Sequence, residues 1–367
     1  MEKRQKLSFC QLDELPDEVI LKIVGFLDLK ELLLCSQVSK RLQAIANDES
    51  LWLSLNFRNR EVPYDFIEKA AGNGCRYLSL FDCDILDFTG KSESSLNLYY
   101  LNLSSVLELE YVQKLVQNCS SLQKLSLDNL SLDSNDIQYI CQSGQTLQVL
   151  DLEKCDFGDC NQTRLLQDLF SNCSHLTELN ISYRNGWLDP HIQALVDNLT
   201  PTILKVNLGF QENLKDEQLK KLVKRCNKIT HLGLNSTKIT NNSVHNIIEQ
   251  LKASLEKLDV SQCNLDFATL LQLKSMPALK ALIFEPTWPE DDHAEVIENL
   301  KQQLRHISIN EGVVSVASPG EEILLGFDES YHPQSPHQNV HFYSIWEIGA
   351  DDQDLFAKVD TDNDESD

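Results

Sequence analysis

Between Cys75 and Ile309 one six-residue phrase returns ten times: an apolar residue, two others, an apolar residue, one other, and a third apolar residue. Copies begin at Cys75, Leu98, Leu122, Leu147, Leu176, Ile203, Ile229, Leu255, Leu279 and Leu304, at intervals of 23 to 29 residues. Side chains alternate with period two along a strand, so the second and third apolar positions of each copy share one face of a short strand. Apolar residues at helical spacing follow, as in Leu219, Leu222, Val223 with Cys226, and Val244, Ile247, Ile248 with Leu251. One such strand and helix cannot bury both apolar faces alone, whereas stacked copies can.

That phrase and period are the signature of a leucine-rich repeat. The expected fold class is α/β: a leucine-rich-repeat solenoid over residues 75–309, horseshoe-shaped, with a parallel inner sheet and outer helices. At roughly 4.8 Å per strand the sheet is about 50 Å long, and its concave side suits an extended partner.

The rest of the composition narrows the function. The chain has 367 residues, 42% of them hydrophobic, enough for a large core. Its formal charge of -24 repels phosphodiester backbones and anionic lipid, so neither nucleic acid nor a membrane surface is an expected partner. Met1 to Lys6 is polar and no secretory apolar run follows, nor any run of the roughly 18 residues that span a bilayer. The chain therefore reads as intracellular, in the nucleus or cytoplasm. Several of its 11 cysteines fall in repeat phase, Cys119, Cys173 and Cys226 at helix ends and Cys83, Cys155 and Cys263 after strands, which marks small buried hydrophobes. No paired ligand motif points to a metal, and no cofactor is expected.

A short polar leader, 1–11, precedes a different pattern at 12–56, where short helices are closely spaced. Pro16 suits a first helical position and Asp17 and Glu18 the positive end of the helix dipole. Asp28 and Glu31 form a capping box for a helix carrying Leu32, Leu33 and Leu34. Leu15-Pro16-Asp17-Glu18, Ile23, Phe26-Leu27, Val38-Ser39-Lys40-Arg41, Ala46 and Leu51-Trp52 together resemble the F-box. Leu42 stands where that family usually places tryptophan. So short a segment carries more apolar surface than it can bury in its own core, which itself points to a protein partner. The resemblance implies that Leu15, Pro16, Ile20, Ile23, Phe26, Leu27, Leu33 and Val38 contact the Skp adaptor of a cullin-RING ligase. Residues 57–74 are expected to be a connecting helix and linker.

With the repeats behind it, the segment resembles the F-box/leucine-rich-repeat substrate receptors of cullin-RING (SCF-type) ubiquitin ligases. Local phrases such as Asn47 to Trp52 and Glu212 to Cys226 carry the likeness. The resemblance implies a protein client, in some members a phosphorylated cell-cycle regulator, and a small Cks cyclin-kinase subunit as helper. Gln211 and Gln262 depart from it where arginine is expected.

On the concave face Lys205, His231 and Lys257 fall on consecutive repeats and are expected to stack into a basic column for an acidic or phosphorylated client group, with Glu178, Asp151 and Asp259 near enough to neutralise it. Tyr183, Trp187 and Phe210 lie just beyond strands and are candidate client-binding rim anchors. Lys220, Lys221, Lys224, Arg225 and Lys228 form a basic run, read as the solvated face of an outer helix. The tail 310–349 is expected to pack on the repeats, Val313, Val314 and Val316 pairing with the last strand. Residues 350–367, with eight acids against Lys358, are expected to be disordered.

No Gly-rich phosphate loop, H-E-x-x-H or G-x-S-x-G occurs, so the chain is expected to be a non-catalytic substrate receptor. The alternative is a leucine-rich-repeat scaffold or inhibitor that acts without ligase attachment.

Overall fold

A computed structural model describes residues 12–57, 59–86, 95–106, 109–157, 163–182, 187–287 and 293–310. Tyr183, the leader 1–11 and the tail 311–367 lie outside the described residues. The chain opens with four short helices, α1 (Asp17–Val24), α2 (Leu29–Val38), α3 (Lys40–Ala46) and α4 (Glu49–Trp52). Thirteen strands follow among the described residues: β1 (Ser54–Asn56), β2 (Glu61–Pro63), β3 (Tyr77–Ser79), β4 (Asp84–Leu86), β5 (Tyr100–Asn102), β6 (Lys124–Ser126), β7 (Val149–Asp151), β8 (Glu178–Asn180), β9 (Lys205–Asn207), β10 (His231–Gly233), β11 (Lys257–Asp259), β12 (Ala281–Ile283) and β13 (Ser308–Ile309). Helix α5 (Tyr64–Gly72) precedes β3. On the outside run α6 (Leu109–Asn118), α7 (Ser134–Ser143), α8 (Thr163–Asn172), α9 (Asp189–Asn198), α10 (Asp216–Arg225), α11 (Asn241–Leu251), α12 (Phe267–Leu271) and α13 (His293–Gln303).

Eleven strands form one parallel sheet in the order β1-β3-β5 through β13, with β2 and β4 paired apart from it. The sheet therefore has one more strand than the ten phrases. The extra copy is Trp52-x-x-Leu55-x-Phe57, with aromatics in the outer positions, and Leu55 stands opposite Leu78. All three side chains are buried. The middle apolar residues then stay in register from Leu78 to Leu282. The last copy slips: Leu282 faces Ile309 rather than Ile307, so Ser308 and not His306 takes the inward row. A slip of two residues keeps the apolar side chains on the core side. The Asn310 amide closes the ladder at Phe284, accepting from its N–H at 2.9 Å and donating to its carbonyl at 2.8 Å.

Among the described residues, eight of the eleven strands of the main sheet are followed by a left-handed residue, four after the middle apolar position: Asn59, Asp82, Ser105, Asn129, Lys154, Phe210, Ser236 and Gln262. At four of these positions the next residue carries a side-chain donor aimed at a carbonyl of the preceding repeat. Cys83 donates to Phe57 O, Cys155 to Leu127 O at 2.9 Å, Gln211 to Ile181 O at 2.5 Å, and Cys263 to Leu234 O at 3.0 Å. These cysteines are more than apolar filler, because they satisfy buried carbonyls that would otherwise be orphaned. Burial pushes the Cys83 thiol up to about 11 and those of Cys75 and Cys119 up to about 12, so they stay protonated.

The helical module is joined to the solenoid through Trp52. Its indole N–H donates to Ala46 O at 2.7 Å, and its ring lies 6.0 Å from that of Phe66 on α5. Phe57 meets Phe66 edge-on at 5.7 Å. At Gly74, with φ of 100°, a Cβ would come within 2.8 Å of the Glu49 side chain, so only glycine allows this approach.

Candidate protein-binding surfaces

The F-box-like segment is ordered by local capping. Glu31 N–H donates to Asp28 at 2.7 Å while the Glu31 carboxylate accepts from Asp28 N–H at 3.1 Å, so the expected capping box forms. Pro16 takes the N-cap of α1 rather than its first turn. Arg41 fastens α3 to the start of α1, donating to Asp17 at 2.8 Å and to Leu15 O at 2.5 Å.

Packing divides the candidate adaptor residues. Ile20 and Leu33 are buried, 1% and 6% exposed, and hold the module's own core, so neither presents a side chain to a partner. Leu15 and Leu27 are half-buried. Pro16, Ile23, Phe26 and Val38 are exposed, Phe26 at 75% and Val38 at 73%. Two further apolar residues are exposed at helical spacing from these: Val19, with Ile23 and Phe26 four and seven positions on, and Leu34, one turn before Val38. Scattered exposed apolar residues are ordinary, but a cluster of this kind marks an interaction surface.

The concave face is more self-contained than its polar sequence suggests. Asn102, Asp151, Asn180, Asn207 and Asp259 each accept from the backbone N–H two residues on, at 2.9 to 3.1 Å. The basic column is interrupted, since Lys205 pairs with Glu178 on the neighbouring strand at 3.1 Å. His231 has Thr230 Oγ1 at 2.9 Å, and Lys257 continues the row on β11. Acid gathers two strands away. Loss of hydration, with Glu153 and Asp128 beside it, pushes the Asp151 carboxyl up to about 7.

Trp187 is not a rim anchor. It is 4% exposed and lies among Phe157, Phe170 and His191, with ring centroids at 5.8, 6.3 and 6.2 Å. Aromatic packing between adjacent repeats holds it there. Phe210 is half-buried and has φ of 62°, rare for a bulky side chain. Among the described residues no group of histidine, cysteine and acidic side chains is placed to hold a metal.

Residues 67–324 match the family described as SKP2 LRR domain. The chain belongs to that family. Residues 12–58 match the F-box-like family. An F-box followed by SKP2-type repeats is the architecture of SCF substrate receptors, which are adaptors rather than catalysts. F-box domains bind Skp1 adaptors in cullin-RING ligases. Among solved structures, one titled a TLR13–ssRNA13 complex has a TM-score of 0.41 at 19% identity, over 57% of this chain and 29% of that chain. The internalin inlF of Listeria monocytogenes str. 4b F2365 has a TM-score of 0.38 at 13% identity, over 82% and 98%.

Proposed function

We propose that the chain is the substrate-recognition subunit of an SCF-type ubiquitin ligase, working in the nucleus or cytoplasm. The observation that carries this is the apolar face of Pro16, Val19, Ile23, Phe26, Leu34 and Val38, exposed on a helical module whose interior is already filled by Ile20, Val24, Leu29, Leu32 and Leu33. That face docks on a Skp adaptor. The concave sheet, with Lys257 and His231 beside the Lys205–Glu178 pair, receives a protein client, and acidic or phosphorylated segments of a cell-cycle regulator suit its basic half. A Cks subunit, if it joins, does so without position 211, because Gln211 is buried and spends an amide N–H on Ile181 O. The contribution to ubiquitin transfer is proximity: the client's lysines are held at high effective concentration near the charged enzyme.

Co-purification tests the proposal. The full chain is expected to bring down the adaptor and cullin, and Phe26→Glu to lose both while keeping its fold and any client. Adaptor capture unchanged in Phe26→Glu would leave a repeat scaffold without ligase attachment.

A further inference from the structure

In a chain with 56 acids and a formal charge of -24, the 31 residues from Gln218 to Ile248 contain no Asp or Glu and six Lys or Arg. Five of those cations, Lys220, Lys221, Lys224, Arg225 and Lys228, lie on α10 or the turn after it, and all are exposed. Arg225 is occupied in capping α9, donating to Leu199 O at 3.0 Å. Lys221 reaches Gln193 at 3.5 Å. Lys220, Lys224 and Lys228 make no ion pair among the described residues. Lys220 also borders an open groove of about 620 Å³ between α10 and α11, whose lining includes His245, the acids Asp216 and Glu217, and Lys215 and Lys238, which pair with Asp189 and Glu212 at 3.1 and 3.5 Å.

We propose that this outer face of α10 is the docking site for the chain's own acidic segment, residues 351–367. That segment carries eight acids and one lysine, the sign and density that complement the patch. Outside residues 218–248 the chain carries 56 acids against 26 Lys or Arg, an excess that repels it. Reach is ample. From Asn310 some 40 residues intervene, a contour of about 130 Å at most. Three helix spacings of about 10 Å separate α13 from α10. Because segment and patch belong to one chain, the contact is intramolecular, where individually weak surface ion pairs add together. The segment then shields α10 and its neighbouring groove from other acidic partners. This contact is independent of the adaptor face and stands or falls separately from it.

The test uses a labelled peptide of residues 350–367 and the chain with and without that segment. The peptide is expected to bind the chain ending at residue 349 at least tenfold more tightly than either the full chain or a shortened chain carrying Lys220→Gln, Lys224→Gln and Lys228→Gln. Raising salt to about 0.5 M, where screening acts within about 4 Å, is expected to abolish the binding. Carbodiimide coupling of the dilute full chain should join acids 351–367 to Lys220, Lys224 or Lys228. A melting temperature equal to the parent's confirms that the triple variant is folded. Equal peptide binding to full and shortened chains would overturn the proposal, as would coupling to Lys205 or Lys257 on the concave face, or coupling only between two copies of the chain.

Discussion

Ile20 lies inside α1 and Phe26 in the turn just after it, one buried and one exposed, and truncating each to alanine should have opposite consequences. Phe26 is 75% exposed, so removing its ring should change the folding free energy by no more than about 0.5 kcal/mol. Its full side chain amounts to roughly 200 Å², and three-quarters of that is about 150 Å² available to a partner. At about 25 cal/mol per Å², burial against the adaptor contributes close to 4 kcal/mol as an upper value. The measured loss on truncation should be about 2–4 kcal/mol, the range of an interface anchor, or roughly 30- to 1,000-fold in affinity. Ile20 is 1% exposed, so Ile20→Ala should cost about 2–5 kcal/mol of stability. It should weaken the adaptor only as far as it unfolds the module. Calorimetric titration with purified adaptor, alongside urea unfolding of each variant, separates the two. Parent-like affinity in a stably folded Phe26→Ala chain would remove this face from the interface.

Three further outcomes are expected. Cys155→Ala leaves the buried Leu127 carbonyl without its donor and should destabilise the chain by about 1–3 kcal/mol in urea, whereas Cys155→Ser, which keeps a donor, should cost less. Arg41→Ala removes the bonds to Leu15 O and Asp17, and should lower the stability of the helical module by about 1–3 kcal/mol without altering the repeats, visible as local loss of hydrogen-exchange protection around α1 and α3. The Asp151 carboxyl, raised to about 7 in the fold against about 3.9 in an unfolded chain, holds its proton more tightly when folded. Its stabilising effect is therefore full below about pH 4 and is lost as pH rises toward 7, so unfolding curves of Asp151→Asn should lose less stability across that window than the parent's.

The repeat array was legible because its phrase tolerates little besides aliphatic residues, and those positions are the core. The first strand escaped because Trp52 and Phe57 fill the outer slots of its phrase and the segment already reads as the end of the helical module. The final strand misled for a different reason. Leu304, Ile307 and Ile309 are all buried, so two registers satisfy the apolar pattern and only the pairing with β12 selects one. In the helical module the residue types were visible but not their direction. Val19 and Ile20 are neighbours, as are Leu33 and Leu34, and each pair splits between core and surface. A broad apolar stripe on a short helix cannot say which edge meets its own fold. Trp187 illustrates the reverse case, since its place beyond a strand resembles a rim position until Phe157 and Phe170 close around it.

The Trp52 indole belongs to two units at once: it completes the small bundle and begins the sheet, with no spacer between them. The array behind it is therefore an arm mounted at one junction, Trp52 with the Glu49–Gly74 contact beside it. Over about 50 Å of strands, a tilt of roughly 10° at the mount carries the far end some 9 Å sideways. A change that merely re-seats this ring would leave every contact surface intact and yet alter which lysines on a captured protein come within reach. In the proposed ligase, selection among those lysines is then a matter of aim, set far from where either protein is held.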